Sequence, residues 1–543
     1  MTTLPAGVTE EPAEVDTGRL HDASRLRVIL LVLAIVASTE IVPFQTAFIG
    51  LAAQRIGASF PAAGSQLPWL ATIYTLVGGV AVPVLGKLSD VVGKKKLIAA
   101  CVAVSLIGSV LDAVTTSWAM LLFGRALQGV AFPALFISYG LIRDLAPRRM
   151  VNMAIGIAGG GTGLGAILGP LAGGYLTDHY SWRSLFWFCT VWIVASLILL
   201  LVFVPETRLR HRVRLDLPGA ALLGAGIALV MIYLSRGSGW GWGRPVTLAW
   251  LFGGLLLLGA FYLWEERAPE PIMSPALLRS RRFLPILAIG FCANGIVNGA
   301  SYVIGYLAET PGGAAGNAVK AQIVNAAAAS AGQQYHLPAS VLKPYFSVVG
   351  DLPGLNLTLL QFTVQLTLGL AVVYVIFSPL AGGLSTRIGL QKPLVAGMAC
   401  FTLSCLLLVF FHYGVLEIAL ILLLLGVAVG LYLGTVGNMV VEAVPQEQQG
   451  VSAGMVGSFT NFGAAFATSI IASVVAAHPL VLHVNAPGHV TSTPLTSGAL
   501  AQLPTDGAYT QMFVIFTIAA AAALLLSLFM RHYRQPATGG TRY

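Results

Sequence analysis

Long apolar runs separated by short polar turns repeat along this chain. About 20 apolar residues cross a bilayer as a helix. Runs of that length begin near Arg27, Gln66, Leu97, Trp118, Met150, Ser184, Leu215, Pro245, Phe283, Thr358, Lys392, Leu416, Val451 and Ala508. The pattern predicts fourteen membrane spans, and an even number places both termini on one side. Two segments break the rhythm. Residues 309–357 hold an alanine-rich stretch followed by Pro338, Lys343 and Pro344, and residues 478–507 are rich in Pro, Thr, Ser and Gly. The first can form one or two short surface helices, or serve only as a solvated linker that shields the outer face.

Positive charge sets the side. Arg25 and Arg27 precede span one, and Lys87 with Lys94, Lys95 and Lys96 separates spans two and three. Arg143, Arg148 and Arg149 follow span four, and Arg208, Arg210, Arg212 and Arg214 follow span six. Arg267, Arg279, Arg281 and Arg282 follow span eight, Arg387 and Lys392 follow span ten, and Arg531 and Arg534 follow span fourteen. All lie on one face, which the positive-inside rule makes cytoplasmic. The loop with Glu442 and Glu447 is the one cytoplasmic turn without basic residues. The expected organisation is an acidic, disordered cytoplasmic tail (1–26), a six-helix half (27–205), two inserted spans (215–266), a second six-helix half (283–530) and a cytoplasmic tail (531–543). The first apolar run is too long for a signal peptide and is expected to remain as a span.

Composition agrees. The chain is 57% hydrophobic and 9% charged, against roughly 25% charged in soluble domains. Its solvent is therefore lipid, in a multi-pass protein of the cytoplasmic membrane. The net charge of +9 sits in clusters at span ends, as topology signals do, so a nucleic-acid partner is excluded. The five cysteines lie in apolar stretches without metal-ligand spacing and are expected to be buried free thiols. No phosphate-binding loop or paired-histidine metal motif occurs. The chain is thus expected to be no enzyme, with no metal and no cofactor other than a coupling proton. His179 and His412 read as interfacial.

Three motifs carry candidate chemistry. The first is Gly86-Lys87-Leu88-Ser89-Asp90-Val91-Val92-Gly93-Lys94 between spans two and three. Its glycines allow a sharp reversal, and its carboxylate can pair with an arginine or a helix N-terminus. The second is Arg125-Ala126-Leu127-Gln128-Gly129 in span four. An arginine within a span costs at least ~2.5 kcal/mol unless it finds a partner, a wet cavity or the headgroups. The third runs from Gly159 to Gly174 in span five. Gly165, Gly169 and Gly173 recur every fourth residue, a flat face for close helix contact, and Pro170 bends the helix.

Together these motifs resemble the major facilitator superfamily, and the Gly169-Pro170-Leu171-Ala172-Gly173-Gly174 ending, followed by Asp178 and Trp182-Arg183, resembles its antiporter branch. Leu215–Ala220 and Ser238–Trp242 look like the 14-span drug:proton antiporter family. A fainter echo of the first motif, Pro379, Gly382, Gly383, Arg387, Gly389 and Lys392, occupies the second half. The resemblance covers residues 27–530. It implies an all-α integral membrane protein with the major facilitator fold, two six-helix halves plus two central helices. It also implies that Gly86, Asp90, Gly93, Lys94 and Arg143 form a conformational latch. Arg125 is implied in proton coupling, and Gly165, Gly169, Pro170, Gly173 and Gly174 in the antiporter motif. Three positions depart from the family. Its span-one aspartate is Glu40 here, about one residue early. Its span-thirteen arginine is replaced by Thr460-Asn461, and its Gln-rich stretch after span nine by the long insertion.

Glu40 lies mid-span among apolar residues. Desolvation disfavours the anion of a carboxyl, so Glu40 is the candidate to bind a proton outside and release it inside. The alternative is a protonated packing residue. Asp112, near the outer end of span three, reads either as a second proton-path residue or as an acid facing outer water. Phe44, Gln45, Trp69, Tyr74, Asn294, Asn298, Tyr302 and Tyr306 are candidate cavity residues, because aromatics and amides suit an amphipathic ligand. The expected function is proton-coupled export of amphipathic, including cationic, organic compounds by a monomer in the bilayer. The alternatives are a dedicated exporter of one endogenous lipid or metabolite, and a non-transporting sensor or scaffold.

Overall fold

The computed structural model describes residues 20, 24–147, 150–207, 216–444, 449–486, 489–496 and 503–534. Arg148, Arg149, Arg208, Arg210, Arg212, Arg214 and Glu447 lie outside them, as do most of both tails.

Thirteen described helices are long and apolar enough to cross a membrane. Spans one to four are Arg25–Ile49, Trp69–Ser89, Lys94–Val114 and Trp118–Leu145, and span six is Arg183–Phe203. The inserted pair is Leu217–Trp240 and Pro245–Glu265. Spans nine to fourteen are Leu284–Glu309, Leu359–Ser385, Gln391–Phe410, Val415–Val440, Val451–Ala477 and Asp506–Phe529. A further helix, Val151–His179, takes the expected place of span five.

Prolines break these helices where the backbone ladder loses a donor. Pro43 has no N–H for the Thr39 carbonyl, and the span-one helix is interrupted at Glu40 between Arg25–Thr39 and Ile41–Ser59. Pro133 likewise coincides with the interruption of span four between Trp118–Gly129 and Phe132–Leu145. Spans two and three are joined by Gly93 alone, at φ 114°, a conformation open to glycine and strained for other residues.

Span thirteen packs along spans two and nine, and span ten along span twelve. The inserted pair packs on itself, and its first helix lies against spans two and thirteen, so it touches both halves. All five cysteines are free.

At the end of the bundle opposite Arg25 and Phe529, the two long insertions come together. Residues of the first form a helix, Gly313–Tyr335, and a strand, β1 Phe346–Val349. The second forms β2 Val481–Ala486 and β3 His489–Pro494. The three make one antiparallel sheet in the order β1-β2-β3, with Phe346 opposite Val484 and Val481 opposite Pro494. The first insertion is therefore more than a solvated linker. Asp506 N–H donates to the Asp351 carbonyl (2.9 Å), and Leu357 N–H to the Ala308 carbonyl (2.9 Å), tying this cap to the bundle. His412, expected at the interface, is fully buried. Its ring contacts the Leu408 carbonyl (2.8 Å) and the Asp506 carboxylate (3.0 Å). His179 is exposed and stacks on Tyr175.

Candidate functional site

A cavity of about 360 Å³ lies between the two halves. Spans one, two and four supply Pro43, Tyr74 and Arg125, and spans nine, ten and thirteen supply Asn298, Tyr374 and Asn461. Of the residues expected on its wall, Tyr74, Asn294, Asn298 and Tyr302 are there. Phe44, Gln45, Trp69 and Tyr306 lie off it. Phe44 turns away from Pro43 and packs edge-on against Phe188 and Trp192 of span six. The Gln45 amide donates to Ser105 (2.9 Å) and Ser109 (3.3 Å) of span three. Trp69 is half-buried at the start of span two. Tyr306 stacks on Tyr302, with centroids 5.9 Å apart, nearer the capped end. Thr46, Tyr374 and Asn461 join the wall unforeseen. Asn461 was visible as an amide within an apolar span.

Arg125 does not snorkel, as it is only 1% exposed. Its guanidinium donates to the carbonyls of Leu70 (3.1 Å) and Gln45 (3.4 Å) and to the Gln128 side chain. It also lies over the Tyr74 ring, 4.2 Å from the centroid. Asp112, expected near outer water, is fully buried instead. Neither of its carboxylate oxygens has a hydrogen-bond partner among the described residues. Span three packs closely on span four here, and a Cβ on Gly124 would overlap the Asp112 carboxylate.

Glu40 stands in the break of span one, 5% exposed. Its two oxygens also have no well-formed hydrogen bond among the described residues. They point at span five, where a Cβ on Gly165 would overlap Oε2. The absence of a side chain at Gly165 is what admits the carboxyl. Pro43, one turn on, forms cavity wall.

The rest of the span-five motif binds both halves. Gly169 admits the Phe44 ring. The Pro170 carbonyl accepts the Thr363 hydroxyl of span ten (3.1 Å). The Gly173 carbonyl accepts the Thr177 hydroxyl (2.7 Å). Gly174 lies flush against the Leu359 backbone of span ten.

Beyond this motif the capped end is bridged. Arg55, on the helix continuing span one, pairs with Asp178 (2.5 Å) of the span-five helix and Glu309 (3.2 Å) of span nine. Asp178 accepts the N–H groups of Leu359 (3.3 Å) and Leu360 (2.8 Å) at the start of span ten. Gln54 donates to the Tyr306 carbonyl (2.6 Å) and to the Thr310 hydroxyl (2.8 Å). Arg55 and Glu309 had no sequence signal, because charges near span ends ordinarily face headgroups.

At the other end, Lys94 pairs with Asp144 (2.9 Å), the residue after Arg143. Arg143 itself is exposed, and the side chain of Asp90 lies outside the described residues. Among the described residues, no atom outside its own helix would crowd a Cβ on Gly86. Glu206 caps span three by accepting the N–H groups of Lys95 (3.1 Å) and Lys96 (3.0 Å). Lys87 reaches the loop after the inserted pair and donates to the carbonyls of Glu270 (2.9 Å) and Pro271 (2.5 Å). Glu265 holds that loop by accepting the N–H groups of Ile272 (3.2 Å) and Met273 (3.1 Å). The inserted helices are thus fastened to the first motif through Lys87.

Two helical halves enclosing a cavity, bridged at one end, define a multi-pass membrane protein built around a solute-sized space. The chain belongs to the major facilitator superfamily, whose family model matches residues 30–331 and 313–542. It is 32% identical to an uncharacterized MFS-type transporter of Mycobacterium tuberculosis over 46% of this chain and 36% of that protein. It is 32% identical to a triacylglyceride transporter of Mycolicibacterium smegmatis over 42% of each. It is 26% identical to the tetracenomycin C resistance and export protein of Streptomyces glaucescens over 87% of this chain and 79% of that protein. The first of these matches span only about a third to a half of the relatives' length. The POT family transporter PepTSo shares the fold, with a TM-score of 0.58 at 14% identity over 93% of this chain and 98% of that one. The protein is therefore a multi-pass membrane protein of that superfamily.

Proposed function

We propose that this protein exports amphipathic organic compounds across the cytoplasmic membrane in exchange for protons. The observation that carries the reading is the Glu40 carboxyl. It is buried beside the cavity wall, in the break of span one, against the span-five motif, with no well-formed hydrogen bond among the described residues. A buried acid without such a partner is costly and marks an ion or proton site. The charge pattern makes the capped end the outer one, with both termini cytoplasmic. When the Arg55 bridges part, Glu40 takes a proton from the outer side. When they close, the protonated half-cycle returns it to the cytoplasm and substrate enters the cavity. Arg125 and Asp112 are both buried beside this path and sense its charge.

One proton crossing 100 mV releases roughly 2.3 kcal/mol. That sustains about a 50-fold gradient of a neutral substrate at 1.36 kcal/mol per decade. A second reading, a dedicated exporter of one endogenous lipid or metabolite, is favoured by the ordered cap over the outer end and by the triacylglyceride transporter among the relatives.

The test is dequenching of a ΔpH dye in energised everted vesicles, challenged with drugs, lipids and secreted metabolites. Substrate-driven collapse of ΔpH in wild type and not in Glu40→Gln supports the proposal. Collapse in both removes Glu40 from the proton path. A response to one lipid or metabolite class alone supports the dedicated exporter. No response to any compound, with the protein confirmed in the membrane, favours a non-transporting role.

A further inference from the structure

The cavity wall carries a chemical bias that its motifs do not announce. Among the described residues, its only ionisable group with a formal charge at neutral pH is Arg125, and none of them places a carboxylate on the wall. Glu40 lies behind Pro43, off the wall. Arg125 has five N–H groups, of which three bonds to Leu70, Gln128 and Gln45 account for three. Its hydrogen-bond partners among the described residues are neutral, and the buried Asp112 carboxyl of span three, which lies against the neighbouring Gly124, makes no hydrogen bond to it. The face of Tyr74, where a cationic ligand would otherwise sit, is already covered by Arg125.

The opposite wall carries amides and a phenol. Asn294, Asn298 and Asn461 each donate one amide N–H to a backbone carbonyl, of Thr460, Asn294 and Gly457, at 2.8, 3.0 and 2.9 Å, and an amide oxygen accepts hydrogen bonds. The buried Tyr302 hydroxyl at this wall has no partner among the described residues. Such a wall accepts hydrogen bonds from ligand hydroxyls, while Arg125 favours an acceptor or an anion at the far side.

We propose that the cavity selects uncharged or acidic hydroxylated aromatic compounds, such as phenols and hydroxy acids, and discriminates against permanent organic cations. A quaternary ammonium group has no N–H for the amide oxygens and meets the Arg125 guanidinium on the cavity wall in a low-dielectric space. This rests on the reading of the cavity as the substrate site, and it narrows the amphipathic class proposed above. It also changes the electrical character of exchange. One proton for a neutral molecule moves one charge, one proton for an anion moves two, and one proton for a cation moves none.

The test is equilibrium binding of three probes of similar size, naphthol, hydroxynaphthoate and naphthyltrimethylammonium, to the purified full chain in nanodiscs. Empty nanodiscs correct for partition into lipid. The expected result is binding of the first two at least about tenfold tighter than of the ammonium, the size of one charge-assisted hydrogen bond. Arg125→Gln should weaken hydroxynaphthoate about tenfold and naphthol little. Tyr302→Phe, which preserves shape, should weaken naphthol a few-fold and leave the ammonium unchanged; it serves on its own if the arginine variant does not fold. Ammonium binding as tight as that of naphthol, or no specific binding of naphthol and hydroxynaphthoate, overturns the proposal. Binding is read without a gradient. Selective binding with no ΔpH response to the same probes would overturn proton-coupled export and leave the selectivity. Cation binding with cation-driven ΔpH collapse would do the reverse.

Discussion

Glu40 and Glu265 are the same residue type, in membrane helices, at 5% and 2% exposure. Their surroundings differ. Glu265, at the end of the second inserted helix, accepts two backbone N–H groups where the chain turns back toward the bundle. Glu40 meets the bare backbone of Gly165 and has no well-formed bond among the described residues. A buried carboxyl whose oxygens are committed to amides belongs to the fold, because it satisfies groups that burial would otherwise leave unpaired. One without such bonds is, on the function proposed above, held ready for a ligand that comes and goes, and a proton is the smallest such ligand. Glu309 stands between the two, since its partner Arg55 belongs to the other half.

The contrast can be broken from either side. Glu40→Gln should lower coupled export by about a hundredfold or more, as for loss of a proton-transfer group. Thermal stability should not fall, because no hydrogen bond is lost; a lower melting temperature would make Glu40 a packing residue. Arg55→Ala gives Glu309 the isolation of Glu40. Arg55 is 36% exposed, so solvent screening limits the loss to about 1–2 kcal/mol, a five- to thirtyfold shift in state populations. Spin labels at Tyr180 and Val364 should report a longer distance between spans five and ten at the capped end, and an unchanged distribution would deny the bridge its role.

Gly165→Ala pushes a methyl group into the space of the Glu40 carboxyl. Overpacking of this kind costs about 1–3 kcal/mol. Export should fall about tenfold with Glu40 still present, read in the same vesicle assay; full activity would place the working carboxyl elsewhere. The smallest effect on transport is expected for Glu265→Ala. It leaves two buried amides unpaired, at about 1–3 kcal/mol of stability each. Export per folded molecule should stay within about threefold, measured as rate normalised to folded protein. A transport loss matching that of Glu40→Gln would erase the distinction.

The spans were legible because lipid imposes one rule on every segment. A crossing helix needs about 20 apolar residues, and the observed helices begin within a few residues of the expected positions. The reversal between spans two and three was legible only as a short polar turn over Gly86–Lys96, whereas the structure continues the helix to Val92 and turns at Gly93 alone. The cap sheet was not legible. Its strands β1 and β2 are separated in sequence by spans ten to thirteen, and neither strand shows in its own segment that the other exists. The cavity wall was only partly legible. Adjacent positions on a helix differ by about 100°, so Pro43 and Thr46 face the cavity while Phe44 and Gln45 face spans six and three. Aromatic and amide character alone could not separate them.

By itself, then, the sequence determined the solvent, the number and order of spans, and the glycine motif that lets span five lie close to its neighbours. Those properties follow from apolar length, charge placement and missing side chains, all local to a segment. The tertiary structure alone decided which buried acids are satisfied and which are not. It also decided that Arg55 bridges Asp178 and Glu309, and that Arg125 is the only charge on the cavity wall among the described residues. Each of these depends on residues far apart in the chain meeting across a helix interface, and burial or pairing is a property of that meeting.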